Sequence, residues 1–398
     1  RPAISIAGER LKRSSDTQAN DAKIELITTR EDFLRLEPDW HAVSSACRTC
    51  NPFTTFDWML SWWDCLGRDK QLMIFVLRSS GRIIGIVPLM RVRKYFLRFP
   101  YDEVCFLSAT ENPFSPRAFA GTLDFLVPDE FSGECEHFIR YLLASCKGWN
   151  YLKLHPLPEN SPALASFRRI ASESHIRVSM PKVFDNACLS VSGSWEEYWT
   201  GRSHDLRRNG HRRYSRLMER HRAEFREYRH PEEMEQAFAD ILTVEQKSWK
   251  SKDGVTINDE RSRDFYPTLA RRLAEKKMIR IWVLKIDGSP AGYEFYVRHD
   301  KCIKTLKTSF DEAYSAFSPG TLLRYAAYRQ FFREGIHHID LLFGNLKYKQ
   351  EWTNVLEPHY GVYLTRNDLY TRFIDRCLRS PAAQRLENGY RKVRHSLR

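Results

Sequence analysis

At 398 residues the chain is too long for one ordinary core, and 42% hydrophobic with 13% aromatic residues supplies enough apolar mass to exclude wholesale disorder. A net charge of +13 favours anionic partners: phosphorylated cofactors, nucleic acid or an anionic membrane surface. No apolar run nears the ~20 residues of a membrane-spanning helix, and the start "RPAISIAGERLKRSSDTQAN" has no continuous apolar core, so neither a span nor a signal peptide is expected and a cytoplasmic location is.

In chain order, residues 1–22 are polar and expected to be disordered. A mixed α/β pattern starts at Ile24. Thr29 is placed as a helix cap, and "TTFDWMLSWWDCLG" reads as an aromatic helix ending at Gly67. "QLMIFVLRSSGRIIGIVPLMRV" reads as a hairpin turning at Ser79-Ser80-Gly81. Strand-like pieces follow at 104–107 and 122–127, then a helix over 134–145 and the strand "YLKLHPL". Cys47 and Cys50 form a lone CxxC with no second ligand pair at zinc spacing, so reduced thiols and no metal are expected.

Around Ser192-Gly193-Ser194 the texture becomes intensely basic and largely helical through Arg229. A domain boundary is placed there: 23–195 and 196–380 as two α/β units, with 381–398 as a basic tail. The second unit predicts helices over 231–249 and 262–277. "MIRIWVLKIDGSPAGYEFYVRHDKCIKTLKTSF" follows as a three-strand meander with turns at Asp287-Gly288 and His299-Asp300. Both halves share the order helix, helix, hairpin, strand, helix, strand.

The stretch "SAFSPGTLLRYAAYRQFFREG" raises the first functional candidate. Ser318 suits the cap and Pro319 the first helical position, which would bare the amides of Gly320, Thr321 and Leu322 at the positive end of a helix. Gly320 lacks the side chain that would keep an anion away. Lys304, Lys307 and Arg324 add positive charge nearby. A well-capped helix without any ligand explains the same residues.

Three segments carry a family resemblance: "HDLRRNGHRRYSRL", "TSFDEAYSAFSPGTLL" and "GIHHIDLLFGNLKYKQEW", with Asp340, Gly344, Tyr348 and Lys349 in the last. Together they resemble the GNAT superfamily of N-acetyltransferases. Within it they are most similar to the branch containing the cellulose-biosynthesis protein CelD, often called BioF-like acetyltransferases. "NPFTTFDWMLSWW" and "GIVPLM" have the texture of the same family in the first half. The resemblance spans about residues 50–365 and implies two tandem GNAT-like domains, each a mixed twisted sheet flanked by helices, as also in the Fem peptidyltransferases. It implies acetyl-CoA or a longer acyl-CoA as co-substrate. The pyrophosphate would lie at Gly320, Thr321 and Leu322 beside Ser318, Lys307 and Arg324, and the pantetheine along 302–309. Only Gly320 remains of the usual glycine-rich pyrophosphate loop.

Amine acylation needs a base for the attacking nitrogen and an acid for the departing thiolate. Glu294, Asp340 and Tyr348 are the candidates, each with a structural role as the competing explanation. Lys349 is a candidate for holding an anionic substrate. His337 and His338 alternate across a strand, so neither is taken as a metal ligand. The basic helix 204–222 contributes Arg208 and Arg212 as further substrate-binding candidates. A solvated basic face is the bland explanation for it, and no module for sequence-specific nucleic-acid binding is present. The tail "RSPAAQRLENGYRKVRHSLR" is a second basic segment that suits an anionic membrane, peripheral to its inner face.

The expected activity is therefore acyl-CoA-dependent N-acyl transfer, with O-acyl transfer as a variant, onto an amino-sugar or amine in cell-envelope or exopolysaccharide synthesis. The alternatives are a Fem-like transferase using aminoacyl-tRNA and a non-catalytic scaffold of a polysaccharide synthesis complex.

Overall fold

The computed structural model describes residues 22–109, 120–174, 178–252, 257, 263–344, 346–353 and 355–380. The polar N-terminal segment up to residue 21, the Ser115-Pro116 pair and the basic tail 381–398 lie outside the described residues.

The first half runs β1 (Lys23–Ile27), α1 (Arg30–Arg35), α2 (Glu37–Ser45), α3 (Phe56–Leu66), β2 (Lys70–Ser79), β3 (Arg82–Phe96), β4 (Phe99–Phe106), α4 (Glu134–Ala144), β5 (Tyr151–Pro158), α5 (Pro162–Ser174), β6 (Val178–Ser179) and β7 (Lys182–Ser190). Thr29 caps α1 by accepting from the Asp32 amide. The β2–β3 turn is Ser80-Gly81, with φ of 50° and 77°, the left-handed pair that a two-residue hairpin requires.

The second half runs α6 (Trp195–Thr200), α7 (His204–Arg220), β8 (Ala223–Tyr228), α8 (Met234–Gln246), α9 (Trp249–Lys252), α10 (Phe265–Glu275), β9 (Ile279–Ile286), β10 (Ser289–His299), β11 (Cys302–Phe310), α11 (Pro319–Arg333), β12 (His338–Phe343), α12 (Lys347–Gln350), β13 (Val355–Thr365) and α13 (Leu369–Arg379). The expected meander is β9–β10–β11, turning at Asp287-Gly288 and Asp300 with positive φ.

Two expectations are corrected. Residues 122–127 are not a strand; they meet the sheet through an isolated bridge, Ile86 to Leu126, and a bond from the Leu123 amide to the Pro156 carbonyl of β5 at 2.8 Å. The basic stretch does not stay helical: Ala223–Tyr228 alternates exposure along β8 and pairs with β9, because Phe225 and Tyr228 are apolar anchors on a strand.

The described residues form one sheet of 13 strands, ordered β1-β2-β3-β4-β5-β13-β7-β12-β11-β10-β9-β8, with β6 on β13. Each half is an antiparallel run whose last strand adds in parallel: β4 to β5 over 103–105 and β11 to β12 over 302–304. In both, the parallel contact is three residues long and then the strands part. The halves also exchange strands. β13 from the second half lies on β5, and β7 from the first lies on β12. The two exchanged strands pair with each other antiparallel and close the seam.

Two layers cover the second half of this sheet. On one face, Phe238 of α8 and Tyr266 of α10 pack on Phe295. On the other, Leu322, Leu323, Ala327 and Phe331 of α11 join Tyr296, Ile303, Ile339 and Leu341 in a core shared with α6 and α7. Each fully buried Leu or Phe of this kind contributes about 1.5–3 kcal/mol.

Candidate active site

The site is built where β11 and β12 part. Their pairing ends at Lys304 and Asp340. Beyond that point β11 continues along β10, while β12 bends away, with Leu342 at φ 59° and Gly344 at φ 99°. The result is a wedge in the middle of the sheet, one wall of which is a strand edge without its β12 neighbour.

Groups from α11, β10 and α12 converge on the α11 face of the wedge. Glu294 is fully buried on β10 and ion-paired to Arg324 of α11. Tyr296 donates its phenol proton to Glu294, and Thr308 donates to it at 3.2 Å. Burial raises the Glu294 carboxyl above its ordinary range, and Arg324 opposes that shift. For Arg324 burial is the opposing influence, and Glu294 overcomes it and holds the guanidinium charged. The guanidinium also lies over the ring of Tyr348 at 5.1 Å and that of Trp352 at 5.8 Å. Tyr348 is 39% exposed, so it is the group of this line that meets solvent. Burial of the phenol, with Arg324 opposing, raises its pKa. Among the described residues, Thr305 Oγ1, Arg324 Nε and Tyr328 Oη on this face are buried without a hydrogen-bond partner.

On the opposite face, Asp340 accepts from Lys304 at 2.6 Å, from Asn186 at 3.1 Å and from the Leu342 amide at 2.6 Å. Burial alone would raise this carboxyl, but Lys304 holds it below the usual range.

The first turn of α11 differs from expectation in one respect. Ser318 is left-handed, φ 52°, and makes no side-chain cap. Its carbonyl instead accepts from the Thr321 amide at 3.0 Å and the Leu322 amide at 3.3 Å. Of the three expected donors, only the Gly320 amide has no acceptor among the described residues. A Cβ built on Gly320 would meet nothing within 4 Å, so the space above it is open to an approaching group. α7 packs alongside: Arg216 donates to the Ala316 carbonyl at 2.6 Å and stacks over Phe317 at 5.5 Å. Arg208 and Arg212 are exposed one turn apart on the same helix, Arg208 bonded loosely to Asp205 at 3.4 Å. The apolar face of α7 is Leu206, Gly210 and Leu217, and Tyr214 is exposed.

Four expected roles are corrected by this geometry. Lys349 is buried and donates to the carbonyls of Leu341 (2.6 Å), Leu342 (3.0 Å) and Phe343 (2.6 Å), so all three ammonium protons are engaged in tying down the end of β12. Burial pushes its pKa down to about 8, with Asp340 opposing. Arg324 spends its charge on Glu294 rather than on a phosphate. Lys307 pairs in register with Phe295 and lies over Tyr266 at 5.3 Å, on the α10 face, away from Gly320. Lys304 is neutralised by Asp340. Sequence reasoning missed Tyr296, Thr308 and Trp352, whose part in the wedge depends on the β10–β11 register and the path after β12. The ligating atoms of Cys188, His338 and Glu357 lie within 4.8 Å of one another on β7, β12 and β13, a grouping that the alternation argument for His337-His338 did not foresee.

The comparisons with known proteins match this layout. Residues 205–350, from α7 to the end of α12, match the family model described as an acetyltransferase (GNAT) domain. Over this stretch the chain is similar to a GNAT acetyltransferase domain. Among solved structures, FemX is similar at 9% identity over 85% of this chain and 98% of that one, with a TM-score of 0.59. L-PGS from Bacillus licheniformis is similar at 12% identity over 87% and 95%, TM-score 0.51. A conserved protein of unknown function from Bacteroides thetaiotaomicron is similar at 9% identity over 83% and 97%, TM-score 0.51. Identities this low establish the shared fold and leave the chemistry to the site. No curated protein matches the chain in sequence. The first half repeats the strand order of the GNAT domain, so the chain carries two such layouts in tandem.

Proposed function

We propose that the chain transfers an acyl group from an acyl-coenzyme A to an amine. The observation that carries this reading is the wedge between β11 and β12, bounded by Tyr348 and Arg324 and open above Gly320. The residues present fit a phosphorylated thioester donor. The Gly320 amide and the basic face of α7 would take its phosphates, and the uncovered edge of β11 with Thr305 would take its amide-bearing arm.

In the transfer the amine nitrogen attacks the thioester carbonyl. A C–N bond forms, the C–S bond breaks, nitrogen loses a proton and sulfur gains one. Tyr348 keeps its phenol proton at neutral pH, as an ordinary phenol with a pKa of about 10 does, and it stands at the wedge mouth, so it would supply the sulfur's proton. The proton from nitrogen leaves to water at the same mouth. Glu294 and Asp340 have no exposed oxygen route; they act as positioning residues, Glu294 through Arg324 and Asp340 through Lys304. The exposed arginines of α7 suit an anionic acceptor, such as a phosphorylated amino-sugar of envelope or exopolysaccharide synthesis.

Calorimetry of the pure chain with acetyl-CoA and longer acyl-CoAs tests this. Binding that Gly320→Asp abolishes supports the reading. Absence of binding to any acyl-CoA, or wild-type binding by Gly320→Asp, overturns it, and salt-dependent binding of aminoacyl-tRNA in its place would assign the donor to that class.

A further inference from the structure

The surface around α13 has no part in the wedge, yet its composition is unusual for a face left in water. α13 is held to the sheet by Thr371 and Ile374, which are buried. Cys377 and Leu378 pack partly against the same cluster as Ile374, but two apolar residues of α13 point outward: Leu369 is 84% exposed and Phe373 43%. Beside it stands the tip of the β3–β4 hairpin, where Phe99 is 43% exposed. The two elements form one ridge, because Phe99 and Phe373 meet edge to face at 5.2 Å and Tyr370 donates to the Pro100 carbonyl at 2.6 Å. An exposed cluster of one aliphatic and several aromatic side chains is a binding surface more often than a solvated one.

The charges around the ridge choose the partner. Arg98 at the hairpin tip and Arg376 on α13 are exposed and have no carboxylate partner among the described residues. Arg372 donates only to the neutral Asn367, at 2.8 and 2.6 Å. A cleft of about 1040 Å³ opens on the same helix, with Arg366, Arg372 and Arg379 in its lining next to Trp149 and Tyr363. Arg379 is ion-paired to Asp375 at 2.9 Å, which leaves Arg98, Arg372 and Arg376 without a carboxylate; apolar side chains flanked by these three match a layer of acyl chains beneath anionic phosphates. A second copy of this chain would bring the same arginines against each other, which disfavours self-association through this face. No helix among the described residues is long and apolar enough to cross a membrane, so contact through this ridge would be interfacial.

We infer that the ridge of α13 and the β3–β4 hairpin tip docks on an anionic phospholipid surface, with Leu369, Phe373 and Phe99 entering the headgroup layer and Arg98, Arg372 and Arg376 meeting lipid phosphates. Vesicle co-sedimentation of the full chain tests this, using phosphatidylcholine alone and phosphatidylcholine mixed with phosphatidylglycerol. The expected result is binding to the mixed vesicles only, weakened by high salt, and lowered about tenfold by Leu369→Glu and severalfold by Arg376→Glu. Leu369 is so exposed that its replacement leaves the fold intact, which near-ultraviolet circular dichroism verifies. Undiminished binding by Leu369→Glu would assign the attraction to other basic segments and overturn the inference. So would equal binding to neutral vesicles, no binding at all, or a dimer in sedimentation velocity that Leu369→Glu dissolves.

Discussion

Glu294 and Arg324 are thirty positions apart in the chain and form an ion pair from which water is excluded on every side. The pair joins the middle of the sheet to the helix that starts at Gly320. It also carries Tyr348 on its outer surface. One contact therefore fixes the floor of the wedge, the angle of α11 and the placement of the phenol.

Breaking this pair from one side strands a buried charge. Glu294→Gln and Arg324→Met are each expected to destabilise the chain by about 3–5 kcal/mol. The double variant should recover much of that loss. Urea denaturation of the four proteins measures the coupling, and additive losses would show that the two groups do not depend on each other.

Tyr348→Phe removes only a hydroxyl from a partly exposed ring. The melting temperature should hold within experimental scatter, while kcat falls about 10²–10⁴-fold. A thiol-release assay with saturating acyl-CoA and an amine acceptor reads this. An unchanged kcat would remove Tyr348 from the proton pathway.

Gly320 separates stability from binding in opposite directions. Its Cβ position is empty space and it lies inside a helix, so Gly320→Ala should raise stability by about 0.5–1 kcal/mol. The same methyl intrudes where the phosphates are proposed to lie, so acyl-CoA affinity should fall. Paired thermal melts and calorimetry on one variant check both signs.

Asp124 sets a pH dependence unrelated to catalysis. It is fully buried, accepts from Ser161 at 2.7 Å and from the Phe125 amide at 2.8 Å, and its Oδ2 has no partner. Burial pushes its pKa up to about 7, with Ser161 opposing. The unfolded carboxyl titrates near its ordinary value of 3.8, so between that pH and about 7 the folded chain holds a proton that the unfolded chain has lost. Stability from this group is full below about 3.8, declines as pH rises from there to about 7, and is flat above. Asp124→Asn should flatten that decline, by up to about 1 kcal/mol per pH unit, in denaturation series across the window.

The elements legible in the sequence were those with strong local grammar. Thr29 at a cap, Gly67 at a helix end, Ser80-Gly81 and Asp287-Gly288 at turns all act over a few residues, and they fell where expected. β13 and β7 were not legible, because "VLEPHYGVYLT" and "KVFDNACLS" become strands by pairing with partners far away in sequence. At the site, Glu294, Asp340 and Tyr348 could be singled out as candidates from the sequence, but their surroundings could not be read from it. Lys349 looked like a free cation until the bend after Leu342 turned three carbonyls toward it. Arg324 looked like a phosphate ligand until the register of β10 put a carboxylate beneath it.

The strand exchange has a consequence for biosynthesis. Leu152 of β5 bonds across to Leu364, so the first half of the sheet keeps an open edge until the chain has been made past residue 365. A ribosome at work on the second half would carry a nascent first half with that edge exposed, guarded in the interval by chaperones or by its own slow collapse. Splitting the gene at the boundary between the halves would give each product the other's missing strand to look for, and two such fragments should be insoluble when made apart and recoverable when made together.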